Sequence, residues 1–246
     1  MEPVGLIPCA GKGSRLSLPF SKELFPNVHT TSYSPILMYT INAMKEAGIR
    51  HLVITVNPDK SDIIKFLGNG SKWGVTLSYC VHAQPRSLPE SIDEAYHLIV
   101  DKTVAFAMPD TYVQPANFLR KLVISHREDP TREVTLGCFQ TDNPSKFGMV
   151  DFVEDSGKVL AVYDKPASST LQWMWGAMVW NPSFAESIHQ FVKQKNAGNS
   201  SSKELILSDA LASLIEQRKV NAHRFHHGRY RDLGTYDEIR LWSKNE

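Results

Sequence analysis

Gly5 to Asn27 reads GLIPCAGKGSRLSLPFSKELFPN, and this stretch decides the fold. It opens inside an apolar run, Val4 to Pro8, which breaks into Ala10-Gly11-Lys12-Gly13-Ser14-Arg15. A short apolar run bounded by glycine predicts a buried strand. Glycines at the end of such a strand let backbone N–H groups close around an anion, because no Cβ stands in the way. Arg15 and Lys22 add two full positive charges just beyond. The stretch therefore reads as a cradle for a polyphosphate. A glycine turn carrying solvated cations is the competing reading of the glycines alone.

Two better-known glycine patterns do not fit. A P-loop requires G-x-x-x-x-G-K-[ST], but Gly13 stands where the hydroxyl residue belongs and Leu6 where the first glycine belongs. A dinucleotide fingerprint requires G-x-G-x-x-G, and its last glycine is replaced by Leu16.

The rest of the chain sets bounds. Its 246 residues allow one large domain or two small ones. A chain of this length buries roughly 70–75% of its unfolded surface. The net charge of +1 gives no bulk attraction to nucleic acid or to a membrane surface. No apolar run approaches a membrane span, and the N-terminus lacks a signal-peptide pattern. Cys9, Cys80 and Cys138 are widely spaced in apolar runs, as expected of reduced core thiols in a cytoplasmic protein.

Apolar runs alternate with helical patterns, predicting an α/β fold with a largely parallel sheet. Strands are expected at Val4–Cys9, His51–Val56, Val75–Val81, Thr103–Met108, Glu133–Phe139 and Val220–Phe225. Helices are expected at Pro35–Ala47, Asp59–Leu67, Ser87–Val100, Pro115–His126, Ser183–Lys195, Lys203–Arg218 and Thr235–Ser243. Ser87-x-x-Glu90 and Thr235-x-x-Glu238 have the form of capping boxes. Phe147–Val153, Lys158–Asp164 and Trp175–Trp180 predict a small antiparallel insertion, its first two strands joined by the turn Glu154-Asp155-Ser156-Gly157. Asn196–Ser202 is a low-complexity loop. No linker divides the chain, so one domain, 1–246, is expected.

Asp110 directly follows the apolar run Val104–Met108. Ligands of open α/β sheets lie beyond the carboxyl ends of the strands, so a carboxylate there is placed to hold a metal; a plain loop or capping aspartate is the alternative. Asp232, in Tyr230-Arg231-Asp232-Leu233-Gly234-Thr235, leads into the last expected helix. His223, His226 and His227 match no zinc spacing and read as strand or surface residues. Trp173, Trp175 and Trp180 cluster in one segment, where sugar stacking and core packing are both open.

G-K-G-S-R-L followed by S-K-E-L-F-P resembles the opening signature of the sugar-1-phosphate nucleotidylyltransferases, a variation on G-x-G-T-R-L…K-x-L-x-P. The resemblance is closest to the glucose-1-phosphate thymidylyltransferase branch and continues, motif by motif, through most of the chain. A-F-A-M-P-D-T looks like the family's strand followed by D-N, with Thr111 for the Asn, and R-D-L-G-T like its W-x-D-x-G-T. Asp164-Lys165-Pro166 is similar to E-K-P, Phe147-Gly148-Met149-Val150 to the Y/F-G-V-V strand, and Gln84-Pro85 to the base-reading Gln-Pro. After that pair the chain has Ser87 where the family has glycine, one residue earlier.

The resemblance implies a Rossmann-like nucleotidyltransferase domain, with a mixed, mostly parallel sheet flanked by helices. It implies that a sugar 1-phosphate attacks the α-phosphate of a nucleoside triphosphate, dTTP or UTP being favoured. Arg15 and Lys22 would be catalytic. Ala10, Gly11, Lys12, Gly13, Ser14, Gln84 and Ser87 would bind the nucleotide. Gly148, Asp164 and Lys165 would bind the sugar phosphate, and Asp110 and Asp232 would hold Mg²⁺. A different base, a non-sugar acceptor and a catalytically silent nucleotide sensor remain open, as does homo-oligomerisation. The chain ends soon after the Asp232 helix, so neither an acetyltransferase nor a large regulatory module is expected beside this one.

Overall fold

The computed structural model describes residues 2–84, 86–197 and 204–244. Its strands are β1 (Val4–Pro8), β2 (His51–Val56), β3 (Thr76–Val81), β4 (Val104–Ala107), β5 (Thr111–Gln114), β6 (Val134–Gln140), β7 (Gly148–Phe152), β8 (Val159–Asp164), β9 (Trp173–Trp180), β10 (Val220–Arg224) and β11 (Arg229–Asp232). Its α-helices are α1 (Leu37–Glu46), α2 (Ser61–Leu67), α3 (Leu88–Asp93), α4 (Tyr96–Ile99), α5 (Phe118–Arg127), α6 (Pro182–Ala197), α7 (Leu207–Glu216) and α8 (Tyr236–Lys244).

The main sheet runs in the order β10-β6-β9-β4-β1-β2-β3. β1 pairs in parallel with both β2 and β4, and β2 with β3. All five residues of β1 are buried, because helices cover both faces of a parallel sheet and leave no wet side. Gly5 is required in that strand, since a Cβ there would lie 2.5 Å from Leu52 Cδ2 on β2. One buried cluster packs α1, α2 and α5 against one face, with Ile41, Met44, Ile63 and Leu119. A second packs α6 and α7 on the other, with Phe184, Ile188 and Leu211.

Several elements differ from the sequence expectations. β9, expected within the antiparallel insertion, lies in the centre of the main sheet, antiparallel to both β4 and β6. Its uninterrupted apolar sequence fits that position, since Gly176 to Trp180 are buried. The insertion is the β7–β8 hairpin, which hangs from β9 through Met149 and Met174. The helix expected over Ser87–Val100 is two, because the ladder tightens to an i→i−3 bond from Ala95 N to Ile92 O. β5 and β11 were not expected at all, and they pair antiparallel as a separate two-stranded ribbon. Of the expected loop Asn196–Ser202, the first two residues end α6 and the remainder lies outside the described residues. Cys9, Cys80 and Cys138 are free and buried, as expected.

The topology places the site. β1, β2, β3 and β4 are all parallel, so their carboxyl ends share one edge of the sheet. That edge carries the glycine loop after β1, Asn57 after β2, Gln84 after β3 and Asp110 after β4.

Candidate active site

The glycine loop is anchored from below. Asn57 Nδ2 donates to Ala10 O at 2.7 Å, which fixes the end of β1 where the chain turns outward. Gly13 adopts φ 65°, a left-handed conformation that an L-residue enters only with strain. A Cβ on Gly11 would meet nothing within 4 Å, so packing does not require glycine there.

The tripeptide Ser21-Lys22-Glu23 is held residue by residue. Ser21 donates its N–H and its hydroxyl to Asp62, at 2.7 and 2.5 Å. Partial burial would raise the Asp62 carboxyl, but the two Ser21 hydrogen bonds, with those from the backbone N–H groups of Ile63 and of Asp62 itself, outweigh it and hold it below the ordinary range. Glu23 accepts from Lys60 Nζ at 2.6 Å, with side chains only 1% and 6% exposed. Burial pushes the Glu23 carboxyl up against the pull of Lys60 and Lys22, and its second oxygen has no hydrogen-bond partner. Lys22, between these anchors, donates to Asp110 Oδ2. Burial alone would lower the Lys22 ammonium, but the charges of Asp110 and Glu23 prevail and raise it above the ordinary lysine value.

Asp232 reaches Asp110 through the small ribbon. In the β5–β11 register Asp232 faces Thr111, the neighbour of Asp110, and Leu233 N donates to Asp110 O at 2.9 Å. Burial, and then the charge of Asp110, push the Asp232 carboxyl up. Gly234 N steadies one Asp232 oxygen at 2.8 Å, and Arg15 approaches the other at 4.0 Å. A Cβ on Gly234 would sit 2.7 Å from Asp232 Oδ1 and 2.9 Å from Arg15 Nη2, so the glycine of R-D-L-G-T makes room for both.

A buried carboxylate, Asp110, and a half-buried one, Asp232, at one sheet edge make a place where a cation is favoured. Among the described residues no group of three or more His, Cys, Asp or Glu is arranged for a metal. A metal held by Asp110 and Asp232 would have two carboxylates from the protein and would take its other ligands from water and phosphate. That donor set fits Mg²⁺, which binds through one or two carboxylates plus substrate phosphates.

Two cavities open here. One, of about 460 Å³, is bounded by Arg15, Asp110, Asp232, Gly148, Lys165 and Trp175 among others. The other, of about 870 Å³, is bounded by Lys12, Gly13, Ser14, Lys60 and Gln84. Lys22 lines both. On the first cavity Asp164 faces Gly148 across the hairpin, and Lys165 N donates to Phe147 O at 3.0 Å. Lys165 itself sits at φ 43°, a conformation rare outside glycine and found where surroundings impose it, often at functional sites. The space a Cβ on Gly148 would take is filled by the Trp175 indole, so this glycine admits a tryptophan to the cavity wall.

The structure thus gathers Arg15, Lys22, Asp110, Gly148, Asp164, Lys165 and Asp232 around one cavity, and Lys12, Gly13, Ser14 and Gln84 around the adjoining one. Ala10 and Gly11 lie in neither lining; Ala10 is wholly buried and is used through its carbonyl. Ser87 is not brought to the site either. It is buried as the N-cap of α3, accepting from Glu90 N at 3.3 Å and donating to Glu90 Oε2 at 2.9 Å. Pro85 lies outside the described residues. Trp180 is fully buried, which realises the core-packing reading for it, whereas Trp175 lines the cavity. Sequence reasoning missed Lys60, Asp62, Lys146 and Tyr230. Lys146 carried a signal, since it directly precedes Phe147-Gly148.

The model of the nucleotidyl transferase family matches residues 4–245, and the chain belongs to that family. Within it, the chain has sugar-phosphate nucleotidyltransferases as relatives. It is 25% identical to the glucose-1-phosphate thymidylyltransferase of Neisseria meningitidis, over 96% of this chain and 79% of that one. It is 28% identical to the low-salt glycan biosynthesis nucleotidyltransferase Agl11 of Haloferax volcanii, over 96% of this chain and 63% of that one. Its fold superposes with a TM-score of 0.81 on a UDP-glucose pyrophosphorylase solved with UDP-glucose, at 18% identity, covering 99% of this chain and 98% of that one. No helix among the described residues is long and apolar enough to cross a membrane.

Proposed function

We propose that this protein transfers a nucleotidyl group from a pyrimidine nucleoside triphosphate, dTTP or UTP, to a sugar 1-phosphate, releasing pyrophosphate. The observation that carries this reading is the position of Lys22 in the wall common to two cavities. One cavity has the glycine loop and Gln84, whose amide offers a donor and an acceptor to a pyrimidine edge. The other has Lys165, Asp164 and Trp175, which suit a phosphorylated sugar. A group passing between two such substrates crosses at Lys22.

Nucleotidyl transfer leaves little covalent work to a protein. It requires positioning and neutralisation of charge spread over phosphate oxygens. In the proposed site Lys12 to Ser14 cradle the triphosphate, and Arg15 and Lys22 neutralise it as the α-phosphorus is attacked. Lys165 orients the acceptor phosphate, and the Asp164 carboxylate is placed for sugar hydroxyls. No general base is needed, because a phosphate dianion is a nucleophile at neutral pH. Asp110 and Asp232 would hold Mg²⁺, whose charge supplies Lewis-acid stabilisation of the phosphate oxygens when bound.

The test is pyrophosphate release from a panel of triphosphates and sugar 1-phosphates with Mg²⁺. Turnover with dTTP or UTP and a hexose 1-phosphate is expected. Activity confined to ATP, GTP or CTP would remove the base assignment, and no activity with any pair would remove the enzyme reading.

A further inference from the structure

Lys146 stands on the wall of the smaller cavity, in the short turn Pro144–Lys146 that leads into β7. Its ammonium is engaged by Glu238 Oε1, on the first turn of α8, just beyond Asp232. Lys146 is also close to Lys165 in the fold. The residue after Lys146, Phe147, accepts the Lys165 N–H at 3.0 Å, and Gly148 faces Asp164 in the hairpin register. Two lysines thus leave the same end of one hairpin and border the same cavity. Each is paired with a carboxylate through a contact that is open to water. Lys165 lies 3.8 Å from Asp164 with side chains 59% and 34% exposed, and the Lys146–Glu238 pair is 46% and 25% exposed. Exposed pairs of this kind hold weakly and exchange partners readily.

Resting on the proposed sugar 1-phosphate reading, we infer that Lys146 is a second ligand of the acceptor phosphate, held in reserve by Glu238. A phosphate monoester carries two negative charges at neutral pH, and Lys165 supplies one positive charge. Lys146 supplies the other by leaving Glu238. Glu238 is then a competitor for the lysine, and the two residues act on acceptor affinity with opposite signs. A purely structural link between the turn and α8 would give both variants the same sign.

The experiment measures KM for glucose 1-phosphate at saturating triphosphate, KM for the triphosphate, and equilibrium binding of glucose 1-phosphate alone. Lys146→Met is expected to raise the acceptor KM about tenfold or more, the worth of one charge-assisted phosphate contact, with the triphosphate KM little changed. Lys146→Arg should recover most of that loss. Glu238→Gln should lower the acceptor KM by about two- to fivefold, the range of an exposed ion pair. The pair lies on the surface, so neither change threatens the fold. The inference is overturned if Lys146→Met raises the acceptor KM less than about threefold, or if Glu238→Gln leaves it unchanged or raises it, with the parent protein active in both cases. If the parent neither binds nor turns over glucose 1-phosphate or any other sugar 1-phosphate, the proposed function falls and this inference with it.

Discussion

Replacing Lys22 by Met tests the electrostatics of the cleft most directly. The Lys22 and Asp110 side chains are 14% and 5% exposed, so the change strands a buried carboxylate. Among the described residues no other cation is in ion-pair contact with Asp110. Arg15 lies 4.0 Å from Asp232, not from Asp110, and is 61% exposed. Asp232 is itself anionic and already pushed up by burial and by Asp110. Breaking a buried pair on one side costs about 3–5 kcal/mol, because the survivor is left uncompensated. The metal-free variant should therefore lose about that much stability in urea titrations with EDTA at pH 8. Lys22→Met/Asp110→Asn should recover most of it, since no lone buried charge remains.

Mg²⁺ gives the second arm. A divalent ion held by Asp110 and Asp232 would compete with Lys22 for the Asp110 carboxylate in the parent and would meet no such competitor in the variant. Its presence at a hundredfold excess over Kd adds about 2.7 kcal/mol to a protein that binds it only when folded. Lys22→Met should show that full gain at lower Mg²⁺ than the parent, although its turnover is lost. The reasoning is refuted if Lys22→Met costs less than about 1 kcal/mol in EDTA. It is refuted equally if the double variant is as unstable as the sum of the single ones.

Three further outcomes are expected. Asp232→Asn should abolish most turnover yet raise the melting temperature of the metal-free protein: a raised carboxyl makes ionisation costly in the fold, so the gap over the parent should be wide at pH 8 and close as pH falls through that raised value. His126 is held neutral by burial, bonded to Thr135 at 2.9 Å and Asn181 at 3.1 Å, and its value is depressed; its contribution is complete above about pH 6.5 and lost as pH falls through the depressed value, so His126→Gln should flatten the acid limb of stability against pH. Lys165→Ala should raise the acceptor KM about tenfold or more while the triphosphate KM stays nearly constant, and equal effects on both would contradict the assignment of Lys165 to one substrate.

The parts of the site that were legible in the sequence are those written by local chemistry. The β1 run with Gly11 and Gly13, and the Ser87 and Thr235 boxes, signal their structure within a few residues. Asp110 was legible because it follows an uninterrupted apolar strand. What joins Asp110 to Asp232 was not. Thr111–Gln114 is four residues between Pro109 and Pro115, and Arg229–Asp232 is polar and equally short, so neither has a strand's pattern. Each is a strand only because the other lies beside it, and pairing between distant segments leaves no local trace. The same holds for β9, whose apolar run announces burial but not which sheet it enters. Lys60 follows Pro58-Asp59 and reads as the exposed start of a helix; its burial against Glu23 depends on where the loop after β1 is laid down.

The charge pairs around the smaller cavity follow a gradient that bears on the order of events. Arg15, Lys22, Lys146 and Lys165 all border it, and each has a carboxylate partner within ion-pair distance. Three of these pairs are wet: the cation is 61%, 46% and 59% exposed for Arg15, Lys146 and Lys165. Such contacts contribute about 0–1 kcal/mol, so an incoming phosphate displaces the carboxylate at little cost. Lys22–Asp110 is of another kind, shielded from water and braced on either side by Ser21–Asp62 and Glu23–Lys60. Separating Lys22 from Asp110 is costly unless another cation compensates that carboxylate. On the proposed reading, the exposed lysines and Arg15 are free to collect substrate anions at once, whereas Lys22 would be freed for the triphosphate when a divalent ion held by Asp110 and Asp232 compensated their charge. The most buried cation of the smaller cavity would thereby be coupled to the metal, and that coupling would follow from its burial.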